Sequence, residues 1–221
     1  MNEQCASVTI RGETLWLHPE RAVLWPARRT LIVSDTHFGK SALFGYHGVA
    51  VPAGSDRHDR ERLSRLLQET CAARLLILGD FLHGPLASDS ADVRDLAAWA
   101  AAMGSIEIRV VAGNHDRGAL CNRDMPLEWQ VHDLIEPPFC FTHDAERAPC
   151  DDELYTLSGH IHPVVRLAGL RKRAARVPVF WQRPSGLILP SFGLFTGGSV
   201  VRPGPGDRLF AVGPQSVVRF R

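Results

Sequence analysis

Lysine is almost missing from this chain. It occurs only at Lys40 and Lys172 among 25 basic residues, so nearly every cation is an arginine. Codon composition explains that bias as readily as phosphate recognition does, so it excludes nothing alone. Net charge is missing too: the formal value is +1, and no global field marks a nucleic-acid or membrane binder. The cysteines (Cys5, Cys71, Cys121, Cys140, Cys150) are odd in number and form no Cys-x-x-Cys pair. That argues against a regular disulfide framework and for reduced thiols in a cytoplasm. No stretch approaches the ~20 apolar residues of a membrane span. Glu3, Arg11 and Glu13 interrupt any signal window, and no apolar core follows. The expectation is a soluble, cytoplasmic protein whose 221 residues form one domain, 1–221.

The first thirty residues read as short strands and tight turns: 8–10, 15–17 and 22–25, separated by Gly12-Glu13 and Pro19-Glu20. Residues 30–33 form an apolar run that stops at Ser34-Asp35. A helix follows over 56–72, with Leu63, Leu66 and Leu67 on one face. Leu75 to Leu78 is the next buried strand, closed by Gly79-Asp80. A second helix spans 90–103, with Ser90 as N-cap and Gly104 as stop. Ile106 to Val111 is a third strand, closed by Gly113-Asn114-His115-Asp116. Open α/β sheets place their sites beyond strand carboxyl ends, and these turns carry polar chemistry there. The second half is β-rich without obvious helices: 139–141, 154–157, 164–167, 177–181, 186–189, 209–212 and 216–220 read as strands. The whole suggests an α/β fold of two packed sheets with helices outside.

Five segments collect Asp, Asn and His: Ser34-Asp35-Thr36-His37, Gly79-Asp80, Gly113 to Asp116, Thr142-His143, and Gly159-His160-Ile161-His162. Asp35 and His37, two apart in a strand-end turn, can point to one side. Asp80 has two oxygens with which to bridge two ions. Asn114 adds a neutral amide oxygen, which limits the negative charge of the set and would suit an anionic substrate. His143, His160 and His162 complete two shells. The donors are O and N with no thiolate, a set suited to Mn²⁺, Fe²⁺, Zn²⁺ or Ni²⁺ rather than to a cysteine-zinc site. Isolated histidines in a globular chain are usually surface or satisfied core residues. Five ordered segments at strand ends are not that.

The ordered pattern D-x-H, GD, GNH[DE], H, GHxH resembles the calcineurin-like metallophosphoesterase superfamily. Gly39-Lys40, Gly48 to Pro52, Gly159 to Pro163, Leu189 to Gly193 and Phe195 to Gly198 look like one bacterial branch of it, the DNA-ligase-associated metallophosphoesterases, described as DNA damage response endonucleases. Thr36 and Phe38 stand where the branch often has Leu, and Asp144 adds an unexpected negative charge after His143. The resemblance implies a four-layer αββα sandwich of two mixed sheets. It implies one metal on Asp35, His37, Asp80 and His162, and a second on Asp80, Asn114, His143 and His160. It further implies in-line attack by a metal-bridging hydroxide, with His115 protonating the leaving oxygen and Asp116 orienting or polarising His115. Two divalent ions, Mn²⁺ first, are the implied cofactors. Single-stranded DNA is the implied substrate and a DNA ligase with other repair enzymes the implied partners.

His83, three residues past Asp80, could reach the centre or a substrate phosphate, or could simply support its neighbours. Lys40 and Arg117 each follow a motif and could meet a phosphate or stay solvated. Arg166, Arg171, Lys172, Arg173 and Arg176 follow the His-x-His motif on a hairpin and could track a nucleic-acid backbone. His47 stays open; His18, His58 and His132 are read as bystanders. Two other functions compete: a small-molecule diesterase for cyclic nucleotides, and a non-catalytic partner module of a repair complex. Degenerate ligands would signal the module, and none of the seven is missing.

Overall fold

The computed structural model describes residues 4–40, 43–44, 54–84, 90–116, 125–147, 152–167 and 175–220. Seven strands form the first sheet in sequence order. These are β1 (Ala6–Ile10), β2 (Glu13–His18), β3 (Ala22–Trp25), β4 (Thr30–Val33), β5 (Arg74–Leu78), β6 (Glu107–Val111) and β7 (Glu128–Gln130). Tight turns make β1 to β4 antiparallel. From β4 to β7 the pairing is parallel, and helices α1 (Ser55–Thr70) and α2 (Ala91–Ala102) make the first two crossovers, as parallel pairing requires. The second sheet has nine strands: β8 (Leu134–Glu136), β9 (Phe139–Phe141), β10 (Tyr155–Ser158), β11 (Pro163–Leu167), β12 (Ala175–Gln182), β13 (Gly186–Ile188), β14 (Ser199–Val200), β15 (Arg208–Val212) and β16 (Val217–Arg219). Its order is β14-β11-β12-β13-β10-β9-β8, with β15 joining β12 to β16. This is the layered α/β fold of two mixed sheets that the sequence suggested.

The strand β4 is buried on both faces, which is why it reads as an unbroken apolar run. One face of the first sheet (Leu31, Val33, Leu75, Ile77) meets Leu63, Leu66 and Leu67 of α1 and Val93 and Leu96 of α2. The other face (Val23, Trp25, Ile32, Leu76, Leu78) meets the inner face of the second sheet, led by Phe139, Phe141, Leu157 and Phe180. Trp25 packs edge-on against Phe139 at 4.9 Å between ring centroids. Each fully buried side chain of this size stabilises by roughly 1.5–3 kcal/mol. At the amino end of β5, Arg74 donates to both oxygens of Glu136, at 2.6 and 2.7 Å, and so ties the sheets together. A smaller cluster (Val165, Val179, Val201, Leu209) lies on the outer face of the second sheet, where no α-helix is found among the described residues.

Helix limits follow local chemistry. Ser90 caps α2 by accepting from the Val93 N–H at 3.3 Å, and Gly104 follows its last turn with φ +64°. The helix α1 stops at Thr70, before the expected residue 72, because Cys71 turns left-handed at φ 51° and closes the helix on Gln68 and Leu67. Strands β7, β8 and β14 are two or three residues long, too short for a period to be read. Cys5, Cys71 and Cys140 are free thiols. No helix among the described residues is long and apolar enough to cross a membrane.

Candidate metal centre

The parallel strands β4, β5 and β6 end side by side, and so do β9 and β10 in the second sheet. Their carboxyl ends meet at one edge of the sandwich, which brings all five polar segments together. Of the nine non-glycine residues with positive φ among the described residues, five are Asp35, His37, Asp80, His160 and His162. Left-handed backbone at such residues costs free energy and persists only where its surroundings impose it. Here the imposing bonds are explicit. Asp35 N–H donates to Gly79 O at 3.1 Å, His37 N–H to Asp80 O at 2.9 Å, and Gly159 N–H to His143 O at 3.1 Å. Glycines beside the ligands leave room for this. A Cβ on Gly79 would overlap the His143 ring, one on Gly113 the Asp80 carboxylate, and one on Gly159 the Asp35 carboxylate.

Among the described residues the donors converge in three groups: Asp35 with His37 and His162, Asp80 with His143 and His160, and His37 with His83 and His115. Asp80 lies between the first two: Oδ2 is 3.8 Å from His37 Nε2, and Oδ1 is 3.5 Å from His143 Nε2. Asn114 Oδ1 is 2.9 Å from His143 Nε2. Asp35, His37, Asp80 and His143 are buried, while Asn114 and His160 stand exposed at the rim.

Ring orientation is fixed from behind. His143 Nδ1 faces Leu78 O at 3.2 Å, His162 Nδ1 faces Gly197 O at 3.2 Å, and His115 Nδ1 faces His83 O at 2.8 Å. A carbonyl can only accept, so each Nδ1 carries the proton and each Nε2 is free to look inward. His162 Nε2 is buried without a hydrogen-bond partner, lying 3.2 Å from Asp35 Oδ1 without hydrogen-bond alignment. His143 Nε2 faces Asn114 Oδ1, Asp80 Oδ1 and His160 Nδ1 together. A buried imidazole lone pair crowded by oxygens, next to two buried carboxylates, is costly without a cation. The residues present fit divalent metal ions.

Charge states agree with that fit. Burial, joined by the field of His162, His83 and His115, pushes His37 down to about 2, so its ring is neutral at working pH, as a metal-binding imidazole must be. Burial and Lys40 push His83 down to about 4. His162 is lowered by burial but raised by more through Asp35 and the Gly197 carbonyl, for a net upward shift.

The catalytic candidates sit differently from one another. His115 is half-buried, with Nε2 4.0 Å from Asp80 Oδ2 and its backbone N–H bonded to Asp80 Oδ1 at 2.9 Å. Asp116 was expected to orient His115; instead it is fully buried and spends both oxygens on backbone N–H groups. Oδ2 accepts from Gly113 at 2.9 Å and Phe81 at 3.2 Å, and Oδ1 accepts from Leu82 at 2.8 Å. It pins the Gly79-Asp80 loop to the Asn114-His115 loop, and His83 O orients His115. Burial raises the Asp116 carboxyl against those three bonds.

His83 supports its neighbours directly. Its Nδ1 is 3.1 Å from His37 Nδ1, and its ring is stacked between Phe44 and His115 at 5.6 and 5.1 Å. Lys40 is half-buried with Nζ 5.4 Å from the Phe44 ring centroid. Arg166 is exposed on β11. Arg117, Arg171, Lys172, Arg173 and His47 lie outside the described residues.

Two supports lie outside the five polar segments, the first of them within the Leu189 to Gly193 branch motif. Ser191 Oγ donates to Asp35 O at 2.8 Å, and Phe192 N–H to Ser34 O at 2.8 Å, so Ser191 and Phe192 hold the first ligand loop from the second half of the chain. Beneath it, Arg62 is buried between Asp59 at 2.5 Å and Glu20 at 2.6 Å, with its guanidinium 4.1 Å from the Phe192 ring.

Residues 28–195 match the model of the calcineurin-like phosphoesterase family. Among solved structures, the Pseudomonas putida nuclease MPE is similar at 32% identity and TM-score 0.82, over 98% of this chain and 100% of that one. The Escherichia coli phosphoesterase Yfce matches at 19% identity and TM-score 0.45, over 86% and 96% of the chains, too distant to bear on function. No curated protein sequence matches the chain. The chain belongs to the calcineurin-like phosphoesterase family and is a metal-dependent phosphoesterase.

Proposed function

We propose that this protein is a Mn²⁺-dependent endonuclease acting on single-stranded DNA, serving a repair system that includes a ligase. The observation that carries the reading is the candidate metal centre itself: Asp80 between Asp35, His37 and His162 on one side and His143, His160 and Asn114 on the other, with Asn114 and His160 exposed at an open rim. An open rim suits a polymer better than a mononucleotide. The similarity to a Pseudomonas putida nuclease over nearly the whole chain supports nucleic acid as the substrate class.

Asp35, His37 and His162 would hold one ion, Asn114, His143 and His160 the other, with Asp80 shared. When bound, two divalent ions polarise phosphoryl oxygens and make a nucleophilic water available near neutral pH. The chain supplies the rest. His37 is neutral and His143 and His162 present Nε2 because backbone carbonyls hold their Nδ1 protons. His115 has its Nδ1–H committed to His83 O, so its Nε2 is the atom able to pass a proton to a leaving oxygen. Asp80 anchors His115 through its backbone, fixing that ring relative to the ligands. Asp116 keeps the two loops in register.

The test is circular single-stranded DNA incubated with purified protein and Mn²⁺, with Asn114→Ala as control. Conversion to linear and shorter products, lost in the variant, is expected, since a circle offers no end to an exonuclease. An intact circle with a small phosphodiester hydrolysed by the same preparation would reassign the enzyme to small diesters. His115→Ala is expected to abolish turnover while keeping metal, and Asn114→Ala to lose both.

A further inference from the structure

Among the described residues the metal centre has two flanks of opposite character. On the Asn114, His143 and His160 side lies a cavity of about 540 Å³ that also carries Asp133 and Asp144. On the His162 side lies a groove of about 340 Å³ carrying Arg21 and Arg176. A polyanion crossing the centre meets carboxylates on one side and guanidinium groups on the other.

The cationic groove is built into the same backbone as the metal site. His162 Nδ1 faces Gly197 O, and Arg176 Nη1 donates to Gly198 O at 3.4 Å, so a metal ligand and a groove cation hang from adjacent carbonyls. A Cβ on Gly197 would meet nothing within 4 Å, so open space lies over that backbone. Arg21 Nη1 donates to Ser191 O at 3.3 Å. Among the described residues neither arginine forms an ion pair, and each guanidinium has five N–H donors. Burial and the nearby Arg62 lower Arg21 against the pull of Asp59 and Glu20, whereas Arg176 is exposed, which leaves Arg176 the freer of the two.

Strand register extends the track. Arg166 pairs with Arg176 across β11 and β12, and Val164 with Pro178. Directly opposed residues share a face, so the two arginines project together beyond Val164 and Pro178. At ~3.3 Å per residue, Arg166 lies roughly 13 Å along the strand from His162.

We propose that this groove is a subsite for a backbone phosphate next to the scissile one, held by Arg176 and Arg21, with Arg166 as the next contact. It fits a single nucleic-acid strand lying over the β11–β12 hairpin, and it rests on the nuclease reading above. The subsite gives the strand one direction of approach, because the opposite flank is acidic.

The test is steady-state cleavage of an oligo-dT by Arg176→Gln across a salt series, with Arg183→Gln as the charge-matched control. Arg183 is exposed on a separate cavity with Arg11 and Arg208. Arg176→Gln is expected to raise KM about 3- to 10-fold with kcat within about twofold. The slope of log affinity against log salt should shrink by about 0.7, one single-strand phosphate contact. Arg176→Lys should keep the salt slope, which separates lost charge from a damaged hairpin. Identical KM and salt slope in Arg176→Gln and Arg183→Gln would overturn the subsite and leave the nuclease reading standing. Wild-type protein that spares the oligonucleotide while hydrolysing a small diester would overturn both.

Discussion

Asp116→Asn separates two roles for this carboxylate, clamp of two loops or partner of His115. The side chain is fully buried, and its oxygens take three backbone N–H groups. An amide can keep its oxygen at the Oδ2 position, satisfying Gly113 and Phe81. Its NH₂ then faces the Leu82 N–H, donor against donor. One buried, unmatched N–H costs about 1–3 kcal/mol, and two bonds drop from charge-assisted to neutral, roughly 0.5–1.5 kcal/mol each. Relief of the buried charge offsets part of this, since burial already raises the Asp116 carboxyl. A net loss of about 2–4 kcal/mol remains. At ~2–4 °C per kcal/mol for a chain of this size, Tm falls by about 4–16 °C. Thermal unfolding in EDTA reads this without metal or substrate. At saturating metal the pH–rate profile of the variant should keep its shape. Wild-type Tm together with a shifted pH–rate limb would refute the clamp and return Asp116 to His115.

Other consequences are equally direct. Arg62→Met leaves Asp59 buried without its cation and should cost about 3–5 kcal/mol, a Tm fall of roughly 6–20 °C; a change under 1 kcal/mol by urea unfolding would count against the buried cluster. Gly79→Ala drives a Cβ into the His143 ring at a backbone with φ +74°, so it should fold poorly or load less metal, as calorimetric titration with Mn²⁺ would show. Apo protein should lose stability as pH falls below about 6.5. His37 and His83, at about 2 and about 4, stay neutral in the fold while the unfolded chain takes up protons, at up to ~1.4 kcal/mol per pH unit per fully excluded proton. His162, raised in the fold, contributes stability that is complete below about 6.5 and fades as pH rises through its folded value, so it cannot reverse the acid trend. The raised Asp59 and Asp116 carboxyls oppose that trend as they protonate, two groups against the two excluded imidazoles and His18, also lowered by burial. Stability in EDTA that stays flat or rises between pH 6.5 and 4.5 would contradict these assignments.

The five polar segments were legible because each follows an apolar run, and a parallel strand that ends in Asp, Asn or His delivers that residue to the sheet edge. Helix α1 was readable from Leu63, Leu66 and Leu67 alone. Roles set by distant contacts were not. Asp116 adjoins His115 in sequence, yet its partners include Phe81 and Leu82, on a loop that only the parallel pairing of β5 and β6 brings near. Ser191 reaches Asp35 across 156 residues, and no local period encodes that contact. Arg21 sits in a tight turn of the first hairpins, where nothing in the neighbouring residues points to the second sheet. The arginines after His162 were visible as a charge run, but their face came only from the Arg166 to Arg176 register.

The most direct measurement is a crystal structure of Mn²⁺-soaked protein, with anomalous scattering recorded at the manganese edge. Two peaks per chain are expected, one touching Asp35, His37 and His162, the other Asn114, His143 and His160, with Asp80 between them. A single peak, or none at these residues in protein that cleaves DNA, would contradict the two-metal centre.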